Sequence, residues 1–263
     1  MLVKAKQLLG ILAYKYRGDY TKMLNAIRSR EAFADSYMEE ALNKLDSKYI
    51  TIVDDDIYPE SYKKCCYNPP IVLFYKGDIN LLKEDPRKFI GIIGSRDSSE
   101  YGKEATRKII KGLPKDKIIV SGMAKGIDSV AHQAALDNGL KTIAVLGSGI
   151  DYCYPQSNKE LYENIIKNGG LIISEYPEKD EPKRENFIFR NRLIATLASF
   201  LLVAEAYDRS GTSTTVNYAL QKGISIGAIP YSLNKKSFCN QIIKEGAYLI
   251  ESAEDILDVM ENW

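Results

Sequence analysis

Two glycine-rich turns carry the first chemistry legible in this chain: Gly94-Ser95-Arg96, and further on Ser121-Gly122-Met123-Ala124-Lys125-Gly126-Ile127-Asp128. Glycine lets a backbone approach a ligand closely. A hydroxyl and a guanidinium beside it reach phosphate oxygens, and a helix starting after the turn aims its unpaired N–H groups at the same anion. Phe187-Ile188-Phe189-Arg190-Asn191-Arg192 opens a later helix and adds cations for phosphates and aromatic faces for bases. Glu205 is followed by Ser210-Gly211-Thr212-Ser213-Thr214-Thr215, a hydroxyl-rich helix start. Each has a plainer reading too: glycine for chain geometry, Asp128 as a cap or helix-dipole partner, Phe189 as core, the hydroxyls as caps. Recurrence of such clusters after four different strands is what points to one anion-holding crevice.

Other chemistries are disfavoured. His132 is the single histidine, so a multi-histidine metal site is excluded, and its place within a helix reads as structural rather than as a catalytic base. Leu146-Gly147-Ser148-Gly149-Ile150-Asp151 lacks the third glycine of a dinucleotide fingerprint and runs into Tyr152-Cys153-Tyr154-Pro155 instead of a helix, with Ser157 or Asn158 capping the helix that follows. Cys65, Cys66, Cys153 and Cys239 form no C-x-x-C pair. With no secretory signal peptide and no apolar run long enough for a bilayer, the expected compartment is the reducing cytoplasm. A net charge of +1 over 263 residues means that any nucleic acid must be held by a local groove, not by a general field.

The elements that must position these residues follow from the apolar pattern. Residues 1–48 recur apolar side chains at helical spacing, broken at Gly18-Asp19, and predict a small helical unit ahead of a domain over 49–263. Residues 49–53 and 71–75 read as strands. From Phe89 the rhythm becomes strand, turn, helix: 89–93, 118–120, 142–146, 171–173, 200–204 and 225–228 are short apolar runs, separated by helical stretches at 101–111, 127–138, 158–167 and 212–222, with tail helices at 237–245 and 253–261. Runs without polar alternation indicate strands covered on both faces, hence an α/β fold with a doubly wound, mostly parallel sheet.

The ordered set of Gly94-Ser95-Arg96 with Tyr101-Gly102, Ser121-Gly122 with Gly126-Ile127-Asp128 and Ala131-His132, Leu146-Gly147 with Tyr154-Pro155 and Asn158, Ser174-Glu175-Tyr176-Pro177, Arg190-Asn191-Arg192, and Glu205-Ala206 with Ser210-Gly211-Thr212 resembles the DprA/Smf family of DNA-processing proteins over about residues 49–250. The resemblance implies an extended Rossmann-like, homodimeric protein that binds and protects single-stranded DNA and assists loading of the RecA recombinase in natural transformation, without catalysis, metal or cofactor. Carried over by motif, the nucleic-acid site comprises Gly94, Ser95, Arg96, Gly122, Lys125, Gly126, Phe187, Arg190, Asn191, Arg192, Ser210, Gly211 and Thr212. Ile188 stands where the family usually has proline, Pro230-Tyr231 where it usually has proline-glycine, and too few residues follow Gly246-Ala247 for the winged-helix-like domain that many relatives append. The alternative is an enzyme cleaving a nucleoside monophosphate in the same crevice, with Glu205 or Glu175 assisting. A dimer surface is expected within residues 195–250, where Leu220, Ile224, Ile226, Ile229, Tyr231, Leu233 and Phe238 crowd together.

Overall fold

Alternation within each strand explains why the strands read as unbroken apolar runs. In the computed structural model, which describes residues 2–64, 68–207, 211–232 and 237–261, β3 (Phe89–Gly94) turns Ile90 and Ile92 to one face of the sheet and Phe89 and Ile93 to the other, and both sets are buried. The same division holds in β4 (Ile118–Ser121), β5 (Lys141–Leu146), β6 (Leu171–Ser174) and β7 (Phe200–Glu205). These strands are covered twice, as parallel strands with crossover helices must be.

On one face lie α8 (Arg184–Leu197), α9 (Gly211–Gln221) and α10 (Phe238–Lys244), packed through Leu193, Leu197, Val216 and Ile242. The other face carries α5 (Glu100–Gly112), α6 (Ile127–Asp137) and α11 (Ala253–Glu261), and beyond them α7 (Lys159–Lys167). With β1 (Tyr49–Thr51), β2 (Val72–Gly77), β8 (Ser225–Ala228) and β9 (Tyr248–Leu249), the sheet formed by the described residues has nine strands in the order β1-β2-β6-β5-β4-β3-β7-β8-β9. Among them the β1–β2 and β2–β6 pairs are antiparallel and the others parallel.

The N-terminal residues form three helices, α1 (Leu2–Tyr16), α2 (Tyr20–Arg28) and α3 (Asp35–Lys44), where the sequence pattern showed one break. The second break follows Arg30, which takes φ 52. Leu12, Ala13, Met23 and Ala26 pack on Phe74, Ala144, Leu146 and Ile172, so the helices share their core with the sheet edge. Three further boundaries differ from the sequence reading. The strand expected over 49–53 stops at Thr51, because Asp54 Oδ2 accepts the Thr51 N–H at 2.7 Å and its hydroxyl at 2.9 Å and turns the chain. The short β9 carries too few residues to show a period. Helix α8 begins at Arg184, earlier than Phe187, since Lys183 precedes it without any side-chain cap to mark the start. A single turn, α4 (Glu60–Lys63), links β1 to β2.

Candidate nucleic-acid interface

From β3 the chain winds outward through β4, β5 and β6, then returns to the other flank of β3 for β7. That reversal makes the β3–β7 boundary a topological switch point, where ligands enter at the carboxyl ends of the strands. A crevice of about 840 Å³ lies there, lined by the loop after β3, the loop after β4 and the N-termini of α8 and α9.

Its walls are stitched together by main chain. The Ser95 N–H donates to the Glu205 carbonyl at 2.7 Å, and the Ile127 N–H to the Ser95 carbonyl at 3.1 Å. Gly126 sits at φ 77, and a Cβ there would lie 2.2 Å from the Ser95 oxygen. Only glycine permits that approach. Gly94 lines the crevice, yet its missing side chain is filled by protein: a Cβ would meet Ile127 Cγ1 at 2.6 Å and the Glu205 carbonyl at 2.7 Å. The reading of Gly94 as a place for close ligand approach therefore gives way to strand–helix packing. The Ser95 hydroxyl is engaged locally, donating to the Asp97 carbonyl at 2.9 Å.

Among the residues expected from sequence, Gly94, Ser95, Arg96, Phe187, Arg190, Asn191, Gly211 and Thr212 line the crevice. Ser210 lies outside the described residues. Arg96 is exposed at the rim with its guanidinium carbon 5.5 Å from the centre of the Phe187 ring. Gly122 and Gly126 support the walls from behind, and Lys125 is exposed on the loop before α6 without lining the crevice.

The two arginines of Arg190-Asn191-Arg192 are placed differently from each other. Arg190 is buried at the floor, where Nη1 donates to the carbonyl of Gly122 at 2.7 Å and to that of Val145, tying the ends of β4 and β5 together. Burial lowers its pKa to about 10, opposed by the nearby Asp128, so it stays charged at neutral pH. Asp128 is pushed above the usual carboxylate range by burial, against the pull of Arg190, and its Oδ2 accepts the Ala124 N–H at 3.3 Å. Arg192 is not brought to the crevice. Its guanidinium makes a buried two-pronged pair with Glu175, at 2.7 and 2.6 Å, and lies 3.6 Å from the centre of the Phe189 ring. Side chains two positions apart on a helix point to different sides, which the motif alone does not display.

The carboxylates considered for cleavage are both engaged. Glu175 holds Arg192, and Glu205 accepts the Ser99 N–H at 2.8 Å through Oε2 and the Tyr207 hydroxyl at 2.6 Å through Oε1, a bond that raises the Tyr207 pKa to about 12. Neither lines the crevice. His132 is fully buried. Thr142 Oγ1 donates to the Ile119 carbonyl at 2.9 Å and faces His132 Nδ1 at 2.7 Å, so Nδ1 bears the proton. Nε2 has no partner among the described residues, and burial lowers the pKa to about 3. Asn158 ends up as a tether rather than the expected cap: its Nδ2 donates to the Met123 carbonyl at 2.9 Å and no side-chain cap is made.

Two crevice residues escaped the sequence reading. Tyr154 is exposed and its ring centre stands 5.5 Å from that of Phe187, forming an aromatic step at the rim. The sequence reading places it in a loop with no binding role. Arg184 lines the opening beside it, missed because α8 starts earlier than its aromatic stripe. At the opposite wall Thr212, Ser213, Thr214 and Thr215 form the first turn of α9, whose positive dipole end favours an anion.

Comparison with known proteins places this arrangement. The DNA recombination-mediator protein A family profile matches residues 48–261. DNA processing protein DprA of Streptococcus pneumoniae is 39% identical, over 97% of this chain and 93% of that protein, and DprA of Bacillus subtilis is 34% identical over 85% and 73%. The crystal structure of the Streptococcus pneumoniae protein superimposes with a TM-score of 0.78 at 36% identity, covering 96% of this chain and 92% of that one. DNA processing protein A of Helicobacter pylori, solved for its single-stranded DNA binding mode, superimposes with a TM-score of 0.72 at 28% identity, covering 83% and 98%.

Proposed function

This chain belongs to the DNA recombination-mediator protein A family, and on that premise we propose that it binds single-stranded DNA in the crevice at the β3–β7 switch point. One observation carries the reading: the crevice combines anion-binding groups with a stacking surface. Arg96, Arg184 and the N-terminus of α9 converge on a space whose rim is the Phe187–Tyr154 aromatic step. Cations and helix N–H groups hold the sugar-phosphate backbone, and aromatic faces accept bases without selecting among them. Arg190 acts as a positioning residue that fixes the floor. In this reading the protein protects incoming strands and assists RecA loading in the cytoplasm, as a binder and not an enzyme.

The helical unit of residues 1–48 and the domain of 49–263 work as parts of one binder, and assembly is a homodimer through residues 195–250. Within that stretch Ile226 and Ile229 belong to the core, whereas Leu220 is 63% exposed and Tyr248 and Leu249 are exposed on the edge strand β9. Leu233 lies outside the described residues. Exposed apolar side chains on an unpaired edge suit a symmetric partner.

A fluorescence-anisotropy titration with oligo-dT, duplex DNA and a free mononucleotide tests the function. Oligo-dT should bind more tightly than duplex, with log K falling by roughly 0.7 per phosphate contacted for each unit of log salt. Equal affinity for duplex, or release of base from the mononucleotide, would overturn the reading in favour of a general polyanion binder or the nucleotide-cleaving enzyme.

A further inference from the structure

On the far side of Ile188 from the crevice lies a second cleft of about 490 Å³. One wall is the turn between α1 and α2, with Tyr16, Arg17 and Asp19, and the other is the start of α8, with Asn186 and Phe189. Tyr218 of α9 lines it as well. Ile188, 44% exposed, lines both spaces, so a single side chain forms the ridge between them. Exposed Lys183 and Arg184 flank that ridge.

Two features distinguish this cleft from an incidental gap. Asp180 is buried in its wall, and its Oδ1 accepts both Nε and Nη2 of Arg17, at 2.7 and 2.5 Å. Its Oδ2 has no hydrogen-bond partner among the described residues, whereas Glu175 on the same side has both oxygens bonded to Arg192. A buried carboxylate oxygen left unpaired is costly, and an N–H donor from an occupant would relieve it. Arg17, whose side chain is 57% exposed, stays paired to the carboxylate and adds positive charge at the mouth of the cleft. The walls are aromatic. Phe189, half-buried, lines the cleft and is fixed in place by Arg192 and by the tilted Tyr20 ring at 6.0 Å.

We propose that this cleft is a second nucleobase site, which takes an amino-bearing base of the same strand that fills the crevice and so makes the N-terminal helical unit part of the DNA-binding surface. The inference rests on the crevice reading above. An aromatic wall beside an unpaired acceptor fits a base that offers an exocyclic N–H₂, and the cations along the ridge fit the intervening phosphates.

The experiment uses the full chain and oligo-dT carrying one 2-aminopurine, an amino-bearing fluorescent base, moved along the strand. Fluorescence should be quenched at two separate positions. Phe189→Leu and Lys22→Glu should abolish quenching at one of them and weaken a long oligonucleotide about tenfold, leaving a short one that fills only the crevice unaffected, because Phe189 and Lys22 line the second cleft and not the crevice. Arg96→Glu should weaken both lengths. Quenching at a single position, or two positions untouched by both second-cleft variants, overturns the second site while the crevice stands. Loss of neither position in Arg96→Glu overturns the crevice itself. Lys22 is exposed, so its variant keeps the test decisive should Phe189→Leu fail to fold.

Discussion

The rim of the crevice and the layer directly beneath it are made from the same residue types and do opposite work. At the rim Arg96 is exposed and leans on Phe187, with its charge facing solvent. Beneath it Arg190 spends Nη1 on two strand-end carbonyls, and Arg192 spends its guanidinium on Glu175. What separates a ligand-binding arginine from a structural one is whether its donors are already satisfied by protein. A buried cation must be paired, and one that is paired has little left for a phosphate.

The sharpest break in that comparison is Arg192→Leu. Removing one partner of a buried pair strands the Glu175 carboxylate, and stability to urea should fall by about 3–5 kcal/mol. The protein that remains folded should bind oligo-dT as before. A stable variant with weakened binding would move Arg192 from the sealed layer to the rim.

Next in size is the pH response of stability through the buried His132. Its folded pKa of about 3 lies below the ordinary value of 6.5, so the unfolded chain takes up the proton first as pH falls. Stability is complete above about pH 6.5 and declines below it by up to ~1.4 kcal/mol per pH unit, or about 2 kcal/mol by pH 5. Measured between pH 7 and 5, His132→Asn should show a flatter curve. An equal slope in both proteins would mean that the ring is protonated in the folded state.

The smallest effect falls on affinity at the rim. Arg96→Glu should weaken oligo-dT at least tenfold, about 1.4 kcal/mol, with the unfolding midpoint unchanged. If the midpoint drops with the affinity, Arg96 shares the structural role of Arg190 and the contrast between the layers dissolves.

Much of this was legible along the chain. The apolar runs at 89–93, 118–120 and 200–204 foretold doubly covered strands, because such burial leaves no polar face, and the glycine turns marked the strand ends where the crevice opens. Periodicity and local turn chemistry depend on neighbours in sequence, so residue order by itself determined the α/β class, the succession of elements and the recurrence of glycine- and hydroxyl-rich turns at strand ends. It could not decide which members of those turns face the crevice. Phe187 and Tyr154 meet only because the loop after β5 and the start of α8 lie at the same edge, Gly94 is required by Ile127 of another strand–helix unit, and Arg192 finds Glu175 only across the fold. Those choices were made by tertiary structure, since burial and the satisfaction of hydrogen bonds are set by contacts among residues far apart in the chain.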